Sequence, residues 1–149
     1  MHKLSQKRLQ NPILRGISFA CFAVILVAIY WITSQDAAKG VLLMPLDDVY
    51  IHFQYARQLA LAEPYVYNPG SDPTSGATSL LYPFILAVGY SFGFQGLQLG
   101  LWAMLVGAMA LVAAMEAIFR LCGAFDGSDW VSIGVAWLFG LSGAFHWHF

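Results

Sequence analysis

Residues 17–33 contain no charged side chain. At about 1.5 Å per residue a helix of that length reaches roughly 26 Å, close to the hydrocarbon thickness of a bilayer. With Ile13 and Leu14 the run is long enough to cross. Two further apolar stretches, 97–121 and 130–149, repeat the pattern. The whole chain is 59% hydrophobic and 10% charged, against about 25% charged in an average soluble domain. The expected fold is therefore an all-α integral membrane protein, a multi-span helical bundle. Aromatic residues at 15%, with five Trp and seven Tyr, suit interfacial and lipid-facing surface, although a dense soluble core would also use them. The net charge of -1 gives no support for a nucleic-acid partner, which requires a basic patch.

Lys3, Lys7, Arg8 and Arg15 stand immediately before the first span. Basic residues flanking a first span favour the cytoplasmic side, so residues 1–16 are expected to be cytoplasmic and 34–96 external. No small-residue cleavage site follows the apolar run, which points to an uncleaved anchor rather than a signal peptide. Residues 34–79 hold the chain's most concentrated polar sequence, including Asp36, Lys39, Asp47, Asp48, Arg57, Glu63 and Asp72. Within it Val49, Phe53, Ala56 and Ala60 recur at helical spacing, with Asp47, Gln54 and Gln58 opposite. This predicts an amphipathic helix over 47–62 lying at the membrane surface, started near Pro45 and ended before Pro64. The sequence YNPGSDPTSGATS that follows reads as a loop.

Residues 80–94 are apolar, but they are short for a span and are interrupted by Pro83 and Gly89. They form either a re-entrant helix or a span. Residues 97–121 are long enough to cross, and Arg120 near their end favours a cytoplasmic end there. By parity 80–94 then does not cross. Residues 122–129 make a short turn, and 130–149 a further span. The chain stops in apolar sequence without a polar flank, so it is expected to be the N-terminal part of a longer protein.

Ionisable residues within apolar sequence are the first places to look for chemistry. Glu116 lies in the 97–121 span, but Arg120 is four residues on and offers an ion pair at the interface. His146 and His148 are two residues apart, which on a helix points them away from each other and prevents a shared metal. Cys21 and Cys122 lack metal or redox spacing and are read as small buried hydrophobes. No phosphate-cradling Gly-rich motif is present. Asp47 and Asp48 differ, because they are adjacent carboxylates at the start of a surface helix with His52 one turn beyond. One reading is helix capping and macrodipole stabilisation. The other is a general base beside a carboxylate that holds a cation or orients a substrate.

The ordered series Asp47, Asp48, Tyr50, Tyr55, Ala56, Arg57, then Tyr67, Asn68, Pro69, Gly70, then Gly76, Thr78, Ser79 resembles the first external loop of polyprenyl-phosphate-sugar-dependent glycosyltransferases of the GT-C fold. The resemblance is to the arabinofuranosyltransferase-like branch, and more distantly to protein mannosyltransferases and the catalytic subunit of oligosaccharyltransferase. It implies a GT-C bundle with a long first external loop containing amphipathic juxtamembrane helices, and it places 80–94 inside that loop. It also implies a catalytic base at Asp47 and a supporting or metal-binding carboxylate at Asp48, with a divalent ion such as Mg, Mn or Ca. His52, Tyr55, Arg57, Asn68, Thr78 and Ser79 become candidate substrate-binding residues.

On this resemblance the expected function is transfer of a sugar, with inversion, from a polyprenyl-phosphate donor to a hydroxyl of a glycan, lipid or protein acceptor. The reaction is expected on the outer face of the cell inner (plasma) membrane, with the bilayer itself as a partner. Family members are several times longer than this chain and carry further acidic residues beyond the equivalent of 130–149. The competing expectation is a non-catalytic membrane protein or accessory subunit derived from such an enzyme.

Overall fold

The computed structural model describes residues 11–37, 44, 47–74, 76–126 and 128–142, with backbone alone for Asp36, Ala37, Asp47 and Asp126. His146, His148 and the basic residues before Asn11 lie outside the described residues. Those described form an all-helical chain without a strand: α1 (Pro12–Ala37), α2 (Asp47–Ala60), α3 (Tyr82–Ser91), a 3₁₀ turn (Gly96–Gln98), α4 (Leu99–Asp126) and α5 (Asp129–Leu141).

Two stretches, Pro12–Gln35 and Gly96–Phe125, are long and apolar enough to cross a membrane. In their most apolar windows only 17% and 22% of the residues are buried in the protein. A core helix of a soluble protein would be mostly covered, whereas here Ile17, Val24, Ile25, Ile29 and Ile32 of α1 all face outward. Cys21 is exposed on α1 as well, which corrects its reading as a buried hydrophobe. Helix α5, at thirteen residues, is apolar but shorter than a span. Residues 122–126 continue α4 where the sequence suggested a turn. Leu121 and Ala124 are ordinary helix residues, and no proline intervenes.

The helix ends follow local chemistry. Asn11 caps α1, its Oδ1 accepting from the Ile13 N–H at 3.0 Å, and Pro12 fills the first helical position, where no N–H is needed. Helix α3 closes on Gly93 (φ 97°), with the Phe94 N–H donating to the Gly89 carbonyl at 3.1 Å. Helix α2 closes in the same way on Ala62 (φ 64°), with the Glu63 N–H on the Gln58 carbonyl at 2.9 Å and Pro64 just beyond. An alanine in that left-handed position costs about 1 kcal/mol more than a glycine.

By contacts the chain forms two units, one from the described parts of Met1–Tyr30 and Val106–Phe149, the other from Trp31–Leu105. The first unit is centred on Phe19, Ala23, Leu111, Met115, Phe119 and Ala136. Trp137 of α5 meets Phe19 and Phe22 edge-on, at 6.0 and 5.0 Å between ring centroids. The buried face of α5 is Ser132, Ala136 and Gly140, small residues four apart that let backbones approach closely. A Cβ at Gly140 would stand 2.9 Å from Phe22 and 3.0 Å from Met115.

In the second unit α2 packs on α3. The expected apolar face of α2 is partly found: Phe53 and Ala56 are buried. Gln58 is fully buried too, although the sequence pattern put it on the polar side. The capping turn returns over it, with its Nε2 near Glu63 Oε2 at 3.4 Å. Trp102 lies across α3 at Gly89 and donates from Nε1 to the Ile85 carbonyl at 2.9 Å.

Candidate functional site

Helix α2 begins with the paired carboxylates, and one stripe of it, Asp48, His52, Tyr55 and Leu59, has the spacing of a single helix face. Opposite this stripe runs the segment from Thr74 to Ser79. Tyr55 fastens the two together. Its hydroxyl accepts the Gly76 N–H at 3.1 Å and shares a short hydrogen bond with the Thr74 hydroxyl. The approach is so close that a Cβ at position 76 would lie 2.8 Å from the Tyr55 hydroxyl, so any side chain there would push the Tyr55 hydroxyl off its hydrogen bonds. Next along, Gln54 donates from Nε2 to the Tyr67 carbonyl at 2.9 Å. The intervening Asn68-Pro69-Gly70-Ser71 stretch forms a tight turn, with the Ser71 N–H on the Asn68 carbonyl at 3.0 Å and Gly70 at φ 78°.

His52 is 7% exposed and its Nε2 lies 3.0 Å from the Thr78 hydroxyl. Tyr82 meets the imidazole edge-on at 5.4 Å. Its Nδ1 is buried without a partner among the described residues. A protonated ring would carry a second buried donor with nothing to receive it, a state that costs free energy. Burial accordingly lowers the His52 pKa below its ordinary value of 6.5, with the Asp48 carboxylate partly opposing.

The sign of the pH dependence follows. Because the folded-state pKa is depressed, the contribution of neutral His52 is fully present above about 6.5 and is lost as pH falls through the folded value. Proteolytic protection of the 65–79 segment should decline on acidification below about pH 6.5, and a His52→Gln protein should show a flatter profile. An identical acid response in His52→Gln would exclude the imidazole as its source.

The structure thus brings together His52, Tyr55, Thr78 and Ser79 of the sequence-derived candidates. Tyr55, Thr78 and Ser79 line a cavity of about 250 Å³, closed on its apolar side by Leu59, Pro83 and Phe84. Ser79 also accepts the Tyr82 N–H at 3.3 Å at the start of α3. Arg57 does not join this group. It faces a separate, wider cleft of about 620 Å³ with Tyr50, Gln54, Tyr67 and Gln95. Asn68 sits in the exposed turn and lines neither space. The Asp48 side chain is exposed, and that of Asp47 lies outside the described residues. The sequence reading did not single out Thr74, Gln54 or Tyr82, whose roles depend on partners that no local pattern specifies.

The metal role implied for Asp48 can be tested on the donors present. No three His, Cys, Asp or Glu residues gather among the described residues. Near Asp48 the other candidate donor, His52, is committed to Thr78 through Nε2. A hard divalent cation takes six or more oxygen ligands, of which protein carboxylates supply the anchoring ones. Asp48 is the one described carboxylate there, and further oxygen donors would be needed beside it to hold such an ion.

Comparison with models of known families, with characterised proteins and with solved structures gave no match. The resemblance to GT-C glycosyltransferases rests on the motif residues alone.

Proposed function

We propose that this chain is a membrane-embedded part of a glycosyltransferase. It moves a sugar from a polyprenyl-phosphate donor to an acceptor hydroxyl at the outer face of the plasma membrane. The observation that carries the reading is the joining of two motifs distant in sequence: the helix opening on Asp47-Asp48 is bound, through His52 and Tyr55, to the Gly76–Ser79 segment around one cavity. Both motifs fall between the two stretches long enough to cross a membrane. A carboxylate at this position can act on a substrate whose lipid remains in the bilayer.

In the proposed reaction Asp47 accepts the proton of the acceptor hydroxyl. The freed oxygen attacks the anomeric carbon from the face opposite the lipid phosphate, a carbon–oxygen bond forms as the bond to the phosphate oxygen breaks, and polyprenyl phosphate leaves with the electron pair. One displacement inverts the anomeric centre. General base assistance is worth roughly 10²–10⁴-fold. In membranes expressing the complete reading frame that encodes these residues, Asp47→Asn should therefore lower transfer from radiolabelled polyprenyl-phosphate sugars by at least about 10²-fold at unchanged membrane content. Wild-type rates in the Asp47→Asn protein would overturn the assignment, and absence of transfer by the wild-type protein with every donor would favour the non-catalytic alternative.

A further inference from the structure

Within the first unit a charged cluster joins residues 101 positions apart in sequence. Arg15 donates to Glu116 through two bonds, Nε to Oε2 and a terminal amine to Oε1, each 2.7 Å long. Its guanidinium also lies 3.9 Å from the centre of the Phe119 ring. Arg120 donates from Nε to the same Oε1 at 2.8 Å. A single carboxylate thus serves two guanidiniums, and the outer one, Arg120, reaches it through Nε alone. Arg15 is held inside, its side chain 6% exposed, whereas that of Arg120 is 73% exposed. Beyond the Nε contact, Arg120 has no further partner among the described residues.

The depth of the cluster is informative. Counted from the middle of each candidate span at about 1.5 Å per residue, Arg15 and Arg120 both lie roughly 13–14 Å out, near the edge of a hydrocarbon layer about 30 Å thick. Glu116 lies roughly 8 Å out on the same scale, within the hydrocarbon. The exposed Arg120 guanidinium therefore falls near the level of lipid phosphates. Lys3, Lys7 and Arg8 precede α1 in sequence with no acidic residue among them. Asp126 and Asp129 follow Arg120 in sequence, and Asp129 opens α5, where the helix N-terminus already favours it.

We infer that the Arg15–Glu116–Arg120 cluster binds the phosphate of an anionic lipid headgroup. The exposed guanidinium of Arg120 supplies the planar donor fork that phosphate oxygens accept in pairs. Arg15 and Glu116 fix Arg120 from the protein side, so that less side-chain freedom is lost on binding. Phosphatidylglycerol should occupy the site more tightly than phosphatidylcholine, whose choline offsets its phosphate charge. This inference is independent of the transfer reaction and depends only on the two helices lying in a bilayer.

The test is thermal unfolding of the purified chain in neutral detergent with added phosphatidylglycerol, phosphatidylcholine or inorganic phosphate at equal concentration. Phosphatidylglycerol is expected to raise the melting temperature by roughly 2–4 °C more than phosphatidylcholine, a margin that shrinks as salt is added. Arg120→Gln should remove most of this margin and Arg120→Lys should restore part of it. Glu116→Gln, which releases the exposed Arg120 guanidinium from its carboxylate, should widen the margin even while lowering the starting stability. Equal shifts from the two lipids, or an undiminished margin in Arg120→Gln, would overturn the site. An equal shift from inorganic phosphate would overturn the assignment to a lipid headgroup.

Discussion

Glu116→Met is expected to lower the melting temperature of the detergent-solubilised protein by roughly 4–8 °C, which for a chain of this size corresponds to about 2 kcal/mol. The cause is what the substitution leaves behind. Arg15 is buried against Phe119 and takes both of its 2.7 Å bonds from the Glu116 carboxylate. Breaking a fully buried pair from one side costs about 3–5 kcal/mol, because the remaining charge is stranded in low dielectric. The figure is reduced here because the Glu116 side chain is 23% exposed, Arg15 keeps a further interaction of its own, and the arginine stem can extend toward water. The double variant Arg15→Met/Glu116→Met should recover most of the loss, since replacing a whole buried pair with apolar side chains is often neutral. By contrast Arg120→Ala should cost less than about 1 kcal/mol, as exposed pairs do. A double variant as unstable as Glu116→Met alone would show that the ion pair is not what fails.

Gly89→Ala is expected to be similarly damaging, although it adds one methyl group. That methyl would stand 2.3 Å from two ring atoms of Trp102, well inside van der Waals contact. The indole cannot simply withdraw, because its Nε1 donates to the Ile85 carbonyl and its ring stands beside Phe92 and Phe94 at 6.0 and 5.6 Å. Overpacking of this sort costs about 1–3 kcal/mol. The helix-propensity gain of alanine over glycine, up to about 1 kcal/mol, offsets part of it. A fall of about 2–6 °C in melting temperature should result. Gly134→Ala supplies the comparison: position 134 is also helical, its added Cβ would meet nothing within 4 Å, and it should be neutral or stabilising. If Gly89→Ala behaved like Gly134→Ala, the Trp102 contact would not be a constraint in solution.

These two sites differ in how far the sequence announces them. Glu116 and Arg120 are four apart, and their pairing can be read from helical spacing. The third member, Arg15, cannot, because nothing local to residue 15 says which segment will meet it. The sequence assigned it only to the positive flank of the first span. Gly89 reads as an interruption in an apolar run, and its purpose as the seat of an indole appears only when α3 and the start of α4 are packed. Gln58 shows the limit of periodicity most directly. Its polar character put it on the solvent side, yet the turn closed by Ala62 and Glu63 folds over it and gives its Nε2 a partner, while its Oε1 is buried with none among the described residues.

The candidate site divides in the same manner. His52, Tyr55, Thr78 and Ser79 were legible as members of an ordered motif series. The closing of His52 on Thr78, the meeting of Tyr55, Thr78 and Ser79 around one cavity, the separation of Arg57 into another cleft and the part played by Thr74 were not. Single-residue features such as an Asn-Pro-Gly turn express local backbone preference. Hydrogen bonds between segments depend on register, which short-range pattern does not contain.

By itself the sequence determined the helical class, two of the three stretches read as fit to cross a membrane, the stop before Pro64 and the turn at Pro69-Gly70. Each of these follows from hydrophobic periodicity or from the φ preference of a particular residue, quantities set within a few positions along the chain. Only the tertiary structure decided that Arg15 closes on Glu116, that Gly76 and Gly89 stand against Tyr55 and Trp102, and that His52 is buried beneath Thr78, which lowers its pKa. Those outcomes depend on excluded volume and on the partners available to a desolvated polar group, and both come into being only when distant segments share the same space.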